Sequence, residues 1–182
     1  TATSLLQMAP DLPEGLKRPL EKVKYSACCH VIFALPAPLF PKDWYALLLH
    51  GRTGACVSAF CDNSMKSPYY SPQGCAQIGC WTYDRHAREL NDRPDAEVRR
   101  VLVKEIQRYM PHMPDTPLFT EIYRWREAVC IAPPGMLGGI AHLKRNNYRD
   151  VKGLYLAGEY LHMPCVESAA KSGIDAARAA LR

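Results

Sequence analysis

The eight cysteines include no CxxC pair, no apolar run is long enough to cross a bilayer, and there is neither a block of like charge nor an internal repeat. Each absence removes a class of protein. Without paired cysteines there is no ligand set of the kind structural zinc sites use, and no metal site is expected. The longest apolar stretches, such as CCHVIFALPAPLF, are too short and too proline-rich for a spanning helix, so the chain reads as soluble, with a peripheral membrane contact left open. Nothing at the N-terminus resembles a signal peptide. The 23 Lys and Arg outnumber the 18 Asp and Glu, but they are interleaved with the acids from Lys17 to Arg182. That is a solvated surface, and it argues against nucleic-acid binding. The cysteines sit among apolar residues, as reduced buried thiols do, which points to a cytoplasmic compartment. Cys28 and Cys29, adjacent in a β-prone run, would face opposite sides of a strand.

What is present is globular composition, 48% hydrophobic and 23% charged over 182 residues. That is enough for one large domain or two lobes. TATSLLQMAP has no cap and reads as the middle of an element, which suggests a fragment. PDLPEGLKRPLEKV suggests a short helix broken at Pro19, and YSACCHVIFALP a strand. WYALLLHG, GACVSAFCD and CAQIGCWTY follow at short spacing, the pattern of an antiparallel meander. In DAEVRRVLVKEIQRYMP the period changes. Val98, Leu102, Ile106 and Tyr109 share one face and Asp95 and Glu97 occupy the first turn, which predicts a helix near 95–110. TPLFTEIYRWREAVC reads as a strand, APPGMLGG as a loop and GLYLAG as a short buried strand.

The C-terminal stretch is the most informative. Val166, Ala169, Ala170, Gly173, Ile174, Ala177, Ala180 and Leu181 recur at helical spacing, predicting a helix whose small-residue face packs against a sheet. Pro164 suits the first helical position, so the N–H groups of Cys165 and Val166 should point outward, where the helix dipole favours an acceptor atom. Gly158 lets a ligand approach the backbone, and Glu159 offers a carboxylate suited to hydroxyl groups. Routine strand-turn-helix packing with a solvated Glu159 is the plainer reading of the same residues.

GLYLAGEY followed by ESAAKSGIDAARAA resembles the C-terminal flavin-binding signature of the flavin amine oxidase superfamily, which includes monoamine and polyamine oxidases, protoporphyrinogen oxidase and phytoene-type desaturases. YRWREAVCIAPPG is similar to the family's strand that carries a Trp and ends in Pro-Gly, with Cys130 where many members have proline. The resemblance implies an α+β chain forming part of an α/β FAD-binding fold. Residues 5–145 would be a substrate domain, an antiparallel sheet with the helix near 95–110. Residues 1–4 and 146–182 would be the C-terminal part of the FAD-binding domain, with TATS the tail of one of its strands. By the same resemblance Glu159, beside Gly158, would contact the ribityl or phosphate side of FAD, and the N–H groups near Cys165, Val166 and Glu167 would face its pyrimidine edge.

The GxGxxG fingerprint that holds the FAD pyrophosphate does not occur among the eleven glycines. The resemblance therefore implies a half-site, with a missing N-terminal FAD-binding segment as partner and a chain that alone is inactive. Many amine oxidases of the superfamily place a lysine beside the flavin. By its spacing to PLFPKDW, His30 takes that position here, and His30 and Trp125 are the candidate catalytic residues. The absence of the lysine shifts the expectation toward desaturation or dehydrogenation of a hydrophobic small molecule, by hydride transfer from carbon to flavin. An amine oxidase of the same fold is one alternative. A module that docks on a partner and binds no flavin is the other. Tyr123, Tyr160 and His162 are weighed behind these, with core packing expected of at least one of Tyr123 and Trp125.

Overall fold

The computed structural model of the chain describes residues 1–67, 69–146 and 151–181. It divides into two compact units, Thr1–Ser26 with Glu127–Arg182, and Ala27–Arg126.

The second unit is built on a sheet of five strands, β1 (Lys24–Leu35), β2 (Ala46–Leu48), β3 (Ala59–Asp62), β4 (Ala76–Tyr83) and β5 (Phe119–Ile131), in the order β2-β3-β4-β1-β5. The expected meander is present as β2-β3-β4, and β1 joins antiparallel beyond β4 with Cys28 opposite Tyr83 and Leu35 opposite Ala76. Alternation decides what each face does. Ala27, Cys29, Val31, Phe33 and Leu35 of β1 are buried with Ile78 and Cys80 of β4, under Ala87 and Leu90 of α3 (Asp84–Asn91) and Val98, Leu102 and Ile106 of α4 (Asp95–Gln107). His30 and Trp81, cross-strand partners, lie on the opposite and more open face. Helix α4 matches the predicted helix and its predicted face. Helix α3 was not anticipated, although Asp84 with Arg88 and Arg85 with Glu89 already sit at the i,i+4 spacing that supports one.

In the first unit α1 (Ala2–Met8), α2 (Glu14–Glu21) and α5 (Met136–Asn146) contribute to a core that includes Leu16, Leu20, Tyr25, Ile140, Leu143, Leu156 and Tyr160, and α6 (Val166–Ala180) packs on the turn Glu159–Leu161. Four expectations are corrected here. TATS begins a helix instead of ending a strand, because Thr1 caps it: its Oγ accepts the Ser4 N–H at 3.1 Å and donates to Glu127 at 2.8 Å. Pro19 sits inside α2 without breaking it. Leu16 and Leu20 on either side are buried, and the proline ring packs on Gly139 of α5, where an added Cβ would lie 3.4 Å away. APPGMLGG turns into α5, since burial of Met136, Ile140 and Leu143 along one helical face outweighs the low helix propensity of its glycines. GLYLAG forms no strand. Leu156 is buried as expected, but the segment is not in strand conformation.

Candidate functional site

In the first unit the Gly158–Glu159 corner is closely specified. Gly158 has φ 150°, ψ 158°, a conformation that side chains rarely adopt, and a Cβ there would lie 2.5 Å from Cε1 of buried Tyr160. Its N–H donates to Ser172 Oγ at 2.8 Å, and that hydroxyl donates onward to the Ala169 carbonyl at 2.7 Å. One oxygen of Glu159 accepts the Cys130 N–H at 3.1 Å. A proline at 130 could not make this bond, so cysteine at that position has a structural consequence. Among the described residues no hydrogen bond reaches the second Glu159 oxygen. Tyr160, weighed as a loop residue, is instead core, and burial pushes its hydroxyl pKa up.

Helix α6 starts two residues later than expected from Pro164 at its first position. Cys165, in extended conformation, is its N-cap, and the Cys165 N–H is taken by the Met163 carbonyl at 2.7 Å. The outward amide at this position is therefore corrected: Val166 and Glu167 carry first-turn N–H groups with no intrahelical acceptor, and Cys165 does not offer one. The Cys165 thiol hydrogen-bonds Ser168 Oγ at 3.1 Å, which lowers its pKa. The buried face of α6 also differs from the predicted one. Ser172 and Ala176 are buried, while Val166 is 87% and Ile174 52% exposed. Ser172 is polar but fully bonded, so its burial costs little and sets the rotation of the helix.

Beside this corner, His162 accepts a hydrogen bond from Lys144 at Nδ1 (2.9 Å), and its Nε2 lies 4.0 Å from Asp175. His162 and Lys144 border a shallow depression of about 310 Å³ lined by Leu137, Ile140, Leu161 and Met163. Burial and then the Lys144 and Lys171 charges lower the His162 pKa, with Asp175 opposing.

In the second unit the open sheet face carries an aromatic row. The rings of His30 and Trp81 stack at 4.5 Å with planes 10° apart; Tyr123 and Trp125 of β5 lie 6.0 and 6.5 Å from His30 and 5.8 Å from each other. Trp81 can lie close along its own strand because Gly79 has no side chain: an added Cβ would meet the indole at 2.8 Å. Tyr123 and Trp125 are 43% and 42% exposed, so neither has the core role expected of at least one of them. His30 Nε2 is buried and has no partner among the described residues. Its pKa is lowered by burial and then by Lys66, so the imidazole is neutral near pH 7.

Both histidines bind fewer protons when folded than when unfolded below the ordinary value of about 6.5, and stability rises with pH in that window. This contribution is present above about pH 6.5 and is lost as pH falls toward and through the lower folded-state values. The urea midpoint should drop between pH 7.5 and 5.5, and replacing both histidines by asparagine should flatten the profile. A midpoint that holds or rises at pH 5.5 in the unmodified chain would contradict this.

The family described as flavin-containing amine oxidoreductase matches residues 2–181. No curated protein sequence matches the chain significantly. Among solved structures, a candidate protoporphyrinogen oxidase from Exiguobacterium sp. 255-15 superposes with a TM-score of 0.74 at 15% identity, over 97% of this chain and 40% of that one. Putrescine oxidase bound to putrescine gives 0.72 at 14% identity, over 95% and 39%. Cyclohexylamine oxidase from Brevibacterium oxydans IH-35A gives 0.70 at 18%, over 94% and 39%. These likenesses are of fold, and the chain spans about two fifths of the length of these proteins. The family match extends over almost every residue, and the chain belongs to the flavin-containing amine oxidoreductases.

Proposed function

We propose that this chain supplies one part of the FAD site, together with a substrate-facing sheet, of an oxidoreductase that oxidises C–H bonds of a hydrophobic molecule. The observation that carries the flavin part is the corner at Gly158: a bare backbone position, a carboxylate with one oxygen uncommitted and the exposed start of α6 stand together, in a chain whose family is defined by flavin. The residues present fit the group. Glu159 would hold hydroxyl groups of the ribityl or phosphate side, and the Val166 and Glu167 N–H groups would face the pyrimidine edge, where the helix dipole favours negative charge. FAD, when bound, supplies the two-electron acceptor. The chain's own contributions are to orient the cofactor through Glu159 and α6, and to present a neutral His30 and an exposed Trp125 on the open face of the sheet. The dinucleotide fingerprint absent from this sequence would come from an N-terminal FAD-binding partner segment, and this chain alone would hold FAD weakly.

Amine oxidation is the second reading, favoured by the names of two of the matching structures. Titrating FAD into the purified gene product that carries this chain tests the site. Glu159→Gln, which keeps an acceptor for the Cys130 N–H, should weaken FAD binding by about ten- to a hundredfold, as expected for loss of a charged hydrogen bond of about 1.5–3 kcal/mol. Glu159→Ala should weaken it at least as much and also lower stability by about 1 kcal/mol. FAD affinity unchanged in both variants would remove Glu159 from the cofactor site.

A further inference from the structure

The segment that leads into α6 is tied down by one side chain that stands between two helices. His162 follows the turn Glu159–Leu161, and its own N–H donates to the Glu159 carbonyl at 2.9 Å. Only Met163, Pro164 and Cys165 separate it from Val166, the first residue of α6. A contact that holds the His162 ring therefore holds the Glu159 corner and the helix start together. From α5, Lys144 Nζ lies 2.9 Å from Nδ1; from α6, Asp175 lies 4.0 Å from Nε2. The partners decide where the ring carries its proton. An ammonium group has donors only, so Nδ1 accepts, and the neutral ring bears its hydrogen on Nε2, on the side of Asp175. At 4.0 Å the Asp175 contact is longer than a hydrogen bond, and closing it requires the ring to move toward α6.

Protonation reverses the two preferences. An imidazolium has an N–H on both nitrogens, so Nδ1 no longer accepts and meets the Lys144 ammonium as a like charge, while Nε2 gains attraction to Asp175. Among the described residues the other charged groups near the ring are Lys171 of α6, which adds repulsion, and Glu159 in the turn itself, whose carboxylate is engaged by the Cys130 N–H. Burial, then Lys144 and Lys171, hold the His162 pKa below its ordinary value against Asp175, so the neutral, Lys144-bonded ring is the form present near pH 7.

We propose that Lys144, His162 and Asp175 form a proton-sensitive clamp: the neutral ring fastens the segment to α5 and sets the start of α6, and the protonated ring leaves α5, moves toward Asp175 and loosens that start. His162 is thus a positioning residue that acts through the Glu159 corner and the first turn of α6. Its effect on a cofactor rests on the flavin reading of that corner; the clamp itself does not. A ligand held by the clamped form binds with release of protons, so its affinity falls as pH drops below about 6.5 and through the lower folded-state value.

NMR of the isotopically labelled gene product that carries this chain reads the clamp without flavin. At pH 7.5 the His162 ring nitrogens should show the Nε2–H tautomer; Lys144→Met should raise the His162 pKa, and Asp175→Asn should lower it. The Ala169 N–H, which closes the first turn of α6 on the Cys165 carbonyl at 3.2 Å, should lose exchange protection between pH 7.5 and 5.5. His162→Asn offers Lys144 an amide oxygen that does not titrate, and should keep that protection at pH 5.5. FAD titration reads the consequence: affinity about three- to fivefold weaker at pH 5.5 than at 7.5, the scale of an exposed charged contact, with the difference abolished in His162→Asn. An Nδ1–H tautomer, or Ala169 protection unchanged with pH, would overturn the clamp. FAD affinity equal at the two pH values would overturn its role at the site, whereas a clamp seen by NMR in a protein that takes up no FAD at either pH would sink the flavin reading and leave the clamp standing.

Discussion

Gly158→Ala is expected to lower stability by about 2–6 kcal/mol, far beyond the usual cost of adding one methyl group. Two terms combine. The backbone at φ 150° lies in a region essentially reserved for glycine, which costs a substituted residue about 1–3 kcal/mol. The new Cβ would also fall 2.5 Å and 2.8 Å from two ring atoms of Tyr160. That ring is 4% exposed and enclosed by the first unit's core, so it cannot swing away, and overpacking of this kind costs about 1–3 kcal/mol. Gly153 provides the control. Its φ is 82°, but nothing lies within 4 Å of its Cβ position, so Gly153→Ala carries only the backbone term of about 1–2 kcal/mol. Urea denaturation of both variants measures the difference. Equal losses would mean that the Tyr160 contact does not constrain the corner, and with it that Glu159 is not held in place by this turn.

Phe33→Ala should cost about 3–5 kcal/mol, and Trp125→Ala less than about 1 kcal/mol, although both residues are aromatic and both lie on the same sheet. Phe33 is fully buried on the face covered by α3 and α4, where truncation removes burial energy and leaves a cavity that the surrounding Ile78, Leu102 and Ile106 cluster closes only in part. Trp125 stands 42% exposed on the other face. The sheet thus separates a side that holds the fold from a more open side, and the prediction is that the two variants split accordingly. Denaturant midpoints of the two variants read both effects. Similar destabilisation from the two changes would mean that the aromatic row is part of the core.

Elements with one strong local signal could be read directly from the sequence. Helix α4 shows its period and its acidic first turn, and the β2-β3-β4 meander shows alternation punctuated by turn residues. Elements determined by tertiary burial could not. The glycines of GMLGG conceal α5 because helix propensity favours a loop there and only the packing of Met136, Ile140 and Leu143 reverses it. The apolar spacing along α6 points to the wrong face, since the buried side is set by Ser172, whose hydroxyl is satisfied by Gly158 and Ala169. For the candidate site, the Gly-Glu pair and the helix start were visible as residue types. The commitment of the Cys165 N–H to Met163 and of one Glu159 oxygen to Cys130 was not, because each depends on a backbone geometry that residue types do not specify. The aromatic row was invisible for a related reason: His30, Trp81, Tyr123 and Trp125 come from three strands, and only the sheet order β4-β1-β5 brings them together.

The central claim is that the Gly158–Glu159 corner and the start of α6 form part of a flavin site. The visible absorption spectrum of the purified gene product carrying this chain, recorded before and after addition of FAD and compared with its Glu159→Ala variant, tests it most directly. The account predicts a bound-flavin spectrum that the substitution weakens at equal protein concentration. A colourless protein that takes up no added FAD would contradict it.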